Sequence, residues 1–233
     1  MVKSNNWFRL FKRPIKGAPV KQIKEGYVSS SRKGRTIHAT QSFVEFNTKH
    51  KNAAMLVLRF IRKNKKALDE GKKLMDGKIN AIVSREFTGQ YAGNRNVGTY
   101  KVDFAGKLFF VKFSSTRKDP LADYEKARNA LKKINYKYNG FNFVVLMPHV
   151  IYVPQKGNRA PVIVSDFVPS EGTIQLHTGT KRIFLEKKEE TALGKARELF
   201  QREGLSNMEL AGHNIFYHEE SKTFFLFDPT TPY

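Results

Sequence analysis

The chain contains no cysteine. Disulfides, thiolate nucleophiles and Cys-ligated zinc or iron–sulfur centres are therefore excluded. It has no apolar run of about 18 residues, so no ordinary transmembrane helix is expected. The start, Met1-Val2-Lys3-Ser4-Asn5-Asn6-Trp7-Phe8-Arg9, breaks its short aromatic patch with charges. It lacks the continuous apolar stretch of a secretory signal, and the expected compartment is a cytosol, its owner's or a host's. Histidines are few: His38, His50, His149, His177, His213 and His218 show no metal-ligand spacing on one helix. No Gly-x-Ser-x-Gly elbow occurs. Acidic residues are scarce as well, with 21 Asp and Glu against 42 Lys and Arg, a net charge of +21.

What is present is enough to fold. The 233 residues are 40% apolar and 12% aromatic, so wholesale disorder is not expected. The charge is uneven. Residues 1–80 hold 20 Lys/Arg and 5 Asp/Glu, a net of +15, whereas residues 81–233 hold 22 and 16, a net of +6. That split predicts a basic extension over 1–80 and an ordinary domain over 81–233. Candidate partners for the extension are nucleic acid, an anionic membrane surface or an acidic protein; a solvated face with no partner is the plain alternative.

Within 1–80, residues 1–47 read as irregular, with a short strand at Phe43–Phe46. Ser29-Ser30-Ser31-Arg32-Lys33 reads as a flexible basic segment or a self-phosphorylation target. Residues 49–76 carry the apolar stripe Ala53, Ala54, Leu56, Val57, Phe60 and Ile61, continued by Ala67, Leu68, Leu74 and Met75. The spacing predicts one long helix ending near Asp76-Gly77.

From residue 81 the pattern turns to strands: Ala81–Tyr91, Thr99–Phe104 and Lys107–Ser114. A helix is expected at Pro120–Asn135, with Asp119 as N-cap. Strands at Asn142–Val153 and Ala160–Phe167 follow, then a helix over Arg182–Arg202. The chain closes with a hairpin, Asn214–Tyr217, a turn at His218–Lys222 and Thr223–Asp228. This order is α+β, not a strict βαβ alternation.

Four pieces bear on chemistry. Gly93 and Gly98 bracket Asn94-Arg95-Asn96-Val97 between two strands, where glycine lets backbone approach a phosphate closely. Alone, two glycines in a hairpin are usually just a turn. Lys112 stands inside Phe109-Phe110-Val111-Lys112-Phe113, and a buried ammonium needs an anion, from Glu125 or else Asp123 on the next helix. A snorkelling Lys at a sheet edge is the plain alternative. Val164-Ser165-Asp166-Phe167-Val168-Pro169 runs from an apolar strand into a polar connector. Asn214 and Asp228 lie on the two arms of the hairpin, where hard oxygen ligands suit Mg²⁺.

In this order the chain resembles the protein-kinase-like fold over about residues 81–233. Phe110-Val111-Lys112 is similar to the Ala-x-Lys of the third strand. Ser165 to Pro169 resembles the gatekeeper and hinge. Glu209 to Asn214 has the spacing of the catalytic-loop Asp-x-x-x-x-Asn, with Glu in place of Asp. Asp228 falls where the metal-binding Asp stands. The resemblance implies an antiparallel-sheet N-lobe and a minimal C-lobe, preceded by a basic, partly helical extension. It implies that Lys112 holds the α/β-phosphates of ATP and pairs with Glu125. It further implies that Asn214 and Asp228 hold Mg²⁺, and that backbone around Asp166–Val168 meets the adenine. Gly93, Arg95 and Gly98 would line the phosphate loop, and Glu209 would orient the acceptor hydroxyl of a protein substrate. The departures are the absent middle glycine, with Arg95 in its place, and Pro229 after Asp228. The 5 residues after Asp228 hold no activation segment, so the likeness is to a compact, atypical branch of phages or bacterial effectors. Residues 1–80 are then the candidate substrate platform. The expected activity is ATP/Mg²⁺-dependent phosphotransfer to Ser, Thr or Tyr, including self-phosphorylation. The rival readings are an inactive pseudokinase serving as an interaction module, and a basic nucleic-acid-binding protein.

Overall fold

The computed structural model describes residues 25–31, 34–85, 98–114, 119–154, 161–168, 172–178, 181–205, 214–227 and 229. In chain order the elements begin with β1 (Tyr27–Ser31), β2 (Arg35–Thr40), α1 (Gln41–Lys49), α2 (Ala53–Lys63), α3 (Lys65–Asp69) and β3 (Leu74–Asp76). Next come β4 (Ala81–Arg85), β5 (Gly98–Phe104), β6 (Lys107–Phe113), α4 (Leu121–Lys132), β7 (Lys137–Tyr138) and β8 (Phe141–Val145). Then follow β9 (Val150–Pro154), β10 (Val162–Asp166), β11 (Thr173–Gln175), β12 (His177–Thr178) and β13 (Lys181–Arg182). The last are α5 (Lys187–Arg202), β14 (Ile215–His218) and β15 (Thr223–Leu226).

The fold is mixed α+β. One antiparallel sheet runs in the order β1-β2-β9-β10-β6-β5-β4-β3, and a second runs β11-β14-β15-β8-β7. Among the described residues of the second sheet, only β15 and β8 pair in parallel. On one face of the large sheet, Val83, Val102, Phe109, Val111, Val162 and Val164 share a core with Phe43, Val57, Leu58 and Ile61 of α1 and α2. The opposite face contributes Ile151, Val153 and Ile163 to a second core. There they meet Tyr124 and Leu131 of α4, Leu193 and Phe200 of α5, and Phe143, Ile215 and Phe224 of the smaller sheet. Because both faces are covered, β9 and β10 are buried almost throughout and read as unbroken apolar runs.

Several expectations change here. The boundary at residue 80 does not divide the core. β2 and β3 lie in the same sheet as β4–β6, and α1 to α3 cover it, so residues 25–80 are part of one packed unit. Charge asymmetry describes a surface, and packing follows the apolar stripe. The expected strand at Phe43–Phe46 is helix: the Thr40 hydroxyl accepts the Phe43 N–H at 3.3 Å and starts α1. The expected single helix over 49–76 is two helices, α2 and α3, followed by the strand β3 at Leu74–Asp76. Lys51 and Asn52 both adopt left-handed φ, 56° and 58°, which ends α1 and opens α2. Asn47 braces that break, its Oδ1 accepting the Ala54 N–H at 3.1 Å. Asn64 makes the next break, its Nδ2 donating to the Phe60 carbonyl at 2.9 Å.

The run 142–153 divides at Leu146–His149, and its halves enter different sheets. The Leu146 N–H donates to the Leu226 carbonyl at 2.8 Å and the His149 N–H to the Val164 carbonyl at 2.7 Å. The helix expected over Arg182–Arg202 is α5, which starts at Lys187, where the Glu189 carboxylate accepts the Glu186 N–H at 2.8 Å. Pro120 takes the cap position of α4, while Asp119 Oδ1 still accepts the Leu121 N–H at 3.0 Å.

No helix among the described residues is long and apolar enough to cross a membrane.

Candidate functional site

β6 lies between β5 and β10, with Lys112 opposite Thr99 on one side and Ile163 on the other. Phe109, Val111 and Phe113 point into the core beneath α1 and α2. Strand alternation therefore turns Leu108, Phe110 and Lys112 to the other face, which looks toward the smaller sheet. Lys101 of β5, opposite Phe110, shares that face. Lys112 and Phe110 are both half-buried.

The facing wall is the β14–β15 hairpin. The Phe227 N–H donates to the Asn214 carbonyl at 3.1 Å, so both arms of the hairpin end together. The Phe227 ring lies 6.4 Å from Phe110 and stacks on Phe216 at 5.0 Å. Phe167, just past β10, lies 6.5 Å from Phe110, and the Lys101 ammonium sits 4.4 Å above its ring. A half-buried aromatic quartet thus joins the strand of Lys112 to the hairpin end that carries Asn214. Phe110 is two residues from Lys112, about 7 Å along a strand.

The other expected site residues take varied places. Asp166 ends β10, opposite Phe109 and so toward the far end of β6 from Lys112. Its carboxylate accepts from His149 Nε2 at 2.8 Å and faces the Lys107 ammonium at 3.6 Å. Burial pushes the Asp166 carboxyl up, but the His149 hydrogen bond and the Lys107 charge outweigh it and hold it below the ordinary carboxylate value. Val168 follows, half-buried. Glu125 is half-buried on α4, where the Tyr27 hydroxyl feels its charge and that of Arg128. Gly98 opens β5 at φ 149°, and a Cβ there would sit 2.5 Å from the Tyr100 hydroxyl. That contact is a packing reason for glycine at 98, independent of any phosphate. Tyr100 is fully buried, its hydroxyl 3.3 Å from Asp69 Oδ1, and burial together with that carboxylate pushes it up to about 12. Gly93, Arg95, Glu209 and Asp228 lie outside the described residues.

Among the described residues no three His, Asp or Glu side chains converge as a metal site. The expected Mg²⁺ ligands were Asn214 and Asp228. Of these the described residues include Asn214, whose side-chain oxygen is of the hard type that Mg²⁺ takes.

Two features escaped the sequence reading. Phe110, Phe167, Phe216 and Phe227 carried no assigned role, yet each is half-buried at the junction of the sheets. The available signal was position: Phe110 alternates with core residues on β6, and Phe227 directly follows β15. His149 had no assigned role, yet it is buried, stacked on Phe43 at 6.0 Å and bonded to Asp166. Set beside family models and curated proteins, the chain matches none of them.

Proposed function

We propose that this chain is an ATP/Mg²⁺-dependent phosphotransferase of kinase-like type, acting on a protein hydroxyl. The observation that carries this reading is the Phe110–Phe227 contact at 6.4 Å. It draws the strand bearing Lys112 against the hairpin end bearing Asn214, the two elements from which the resemblance would build a nucleotide cleft. In that reading Lys112 neutralises phosphate charge, and the backbone after Asp166 borders the base. The Asn214 amide oxygen, with Asp228, would hold Mg²⁺, which when bound offsets charge on the transferring phosphoryl group. Glu209 would orient the acceptor hydroxyl, and Glu125 would steady Lys112.

A second reading is favoured by the same quartet. Phe110 meets Phe167 and Phe227, and Phe227 stacks on Phe216, so four half-buried rings tie the two sheets together. A junction held by its own side chains suits a module that engages a partner without turnover.

Transfer of labelled terminal phosphate from Mg-ATP to an acidic protein substrate or to the chain itself separates the two. Phosphotransfer by wild type that falls at least about a hundredfold in both Lys112→Ala and Asn214→Ala supports the first reading. Label transfer unchanged in both variants rejects the site. No transfer in any protein leaves the interaction module.

A further inference from the structure

On the rim of the large sheet, four strands from β6, stands a second constellation. β1 is an edge strand paired with β2, and Ser29 lies directly opposite His38. Ser29 Oγ is 2.7 Å from His38 Nδ1. The other ring nitrogen, Nε2, is 2.5 Å from Asp119 Oδ2. Asp119 is itself held, since its second oxygen accepts the Leu121 N–H at 3.0 Å at the start of α4.

The proton positions follow from the partners. An ionised carboxylate only accepts, so Nε2 carries the proton that bonds Asp119. In the neutral imidazole Nδ1 is then the bare nitrogen, and it accepts the Ser29 hydroxyl. His38 is 8% exposed, which shields the imidazole from water, while Ser29 on the outer strand is open to solvent. A serine within reach of an oriented base is the arrangement of an activated nucleophile. The neighbours are built differently. Ser31, on the same face, meets the Thr36 hydroxyl at 2.9 Å, and Ser30 points to the opposite face.

The geometry points to Ser29 as a nucleophilic serine, with His38 its general base, Asp119 the positioning carboxylate, and an anionic phosphoryl donor its electrophile. The net charge of +21 favours an anionic donor over a neutral ester. In the step, Ser29 Oγ forms a bond to phosphorus. The bond from phosphorus to the leaving group breaks, its electron pair departing with that group. The serine proton passes to His38 Nδ1, and Asp119 stabilises the imidazolium. With a nucleoside triphosphate the leaving group is the diphosphate; this identity of the donor rests on the phosphotransferase reading, while the nucleophile does not.

The test uses the full chain and a fluorophosphonate, a phosphorus electrophile whose fluoride leaves, with labelled peptides mapped by mass spectrometry. Ser29 is expected to label at least about tenfold faster than Ser30 or Ser31, and Ser29→Ala to abolish that label. His38→Ala should lose the label and regain it with added imidazole, which a merely structural histidine would not allow. Asp119→Asn, which keeps an acceptor but removes the charge, should slow labelling without lowering the unfolding midpoint as far as Asp119→Ala. No label on wild-type Ser29, equal label on the three serines, or wild-type rates in folded His38→Ala would each overturn the proposal. If the histidine variant fails to fold, the ranking of the three serines in wild type decides. Labelled Ser29 with no phosphate acquired from Mg-ATP keeps the nucleophile and rejects the nucleotide as its donor.

Discussion

The two sheets bury their residues in different ways. In the smaller sheet, β8 and β14 alternate: Phe141, Phe143 and Val145 point inward, as do Ile215 and Tyr217, with half-exposed residues between them. One face packs on α4 and α5, and the other is partly open. At the centre of the large sheet, β9 and β10 have no open face, because α1 and α2 cover one side and the second core the other. The basic third of the chain supplies that first cover. Most of its described lysines lie outward, while Ala53, Val57, Leu58, Ile61 and Leu68 face inward, so a strongly charged segment also covers the core.

The sharpest way to break this comparison is to remove the lid. Deleting residues 1–49 takes away β1, β2 and α1, including buried Thr40 and Phe43. Loss of the cooperative thermal transition is expected, and a truncated protein that melts like wild type would restore the detachable extension. Next in size are two cavities in the second core, one from each sheet. Phe143→Ala in the smaller sheet should cost about 3–5 kcal/mol and Ile151→Ala in the large one about 2–5 kcal/mol. Denaturant unfolding should show a single transition for each, since the second core spans both sheets. Smaller is Asp69→Ala, which frees Lys65, Arg85 and the Tyr100 hydroxyl at the joint of α3 with β4 and β5. About 1–3 kcal/mol is expected by the same measurement.

Acid sensitivity comes next. The folded Asp166 carboxyl lies below its ordinary value of 3.8, so its stabilisation is present above about pH 4. It is lost as pH falls through the lower folded value. Midpoints measured from pH 6 downward should therefore fall less steeply in Asp166→Asn than in wild type over that acid range. The smallest effect belongs to Glu198, which bonds Lys195 and Arg202 on the exposed side of α5. Glu198→Gln should leave the midpoint within experimental scatter, as solvated pairs contribute little.

The same contrast explains what could be read in advance. The β14–β15 hairpin was legible because two short aromatic-rich runs flank the polar turn at Glu219–Lys222, which are local signals. β5 and β6 were legible through Ala105-Gly106, whose left-handed pair makes a tight turn. The division of 142–153 was not, since Phe141–Val145 and Val150–Pro154 are both apolar and only tertiary pairing assigns them to different sheets. The helix breaks at Asn52 and Asn64 were hidden because the apolar stripe runs straight across them. Within the site, the placement of Lys112 on a two-faced strand followed from FFVKF. The ring contacts of Phe110 and the His38–Asp119 pair depend on residues 117 and 81 positions apart, beyond the reach of local pattern.

The central claim is that the face of Lys112 and the end of the hairpin form a nucleotide cleft. A thermal-shift titration with ATP and Mg²⁺ on wild type and Lys112→Ala tests it most directly. A ligand that binds the folded state raises the midpoint by mass action, by about 2.7 kcal/mol of stabilisation at a hundredfold excess over Kd. The account predicts a Mg²⁺-dependent rise in wild type that is lost in a folded Lys112→Ala. No rise in wild type, or an equal rise in both proteins, would contradict it.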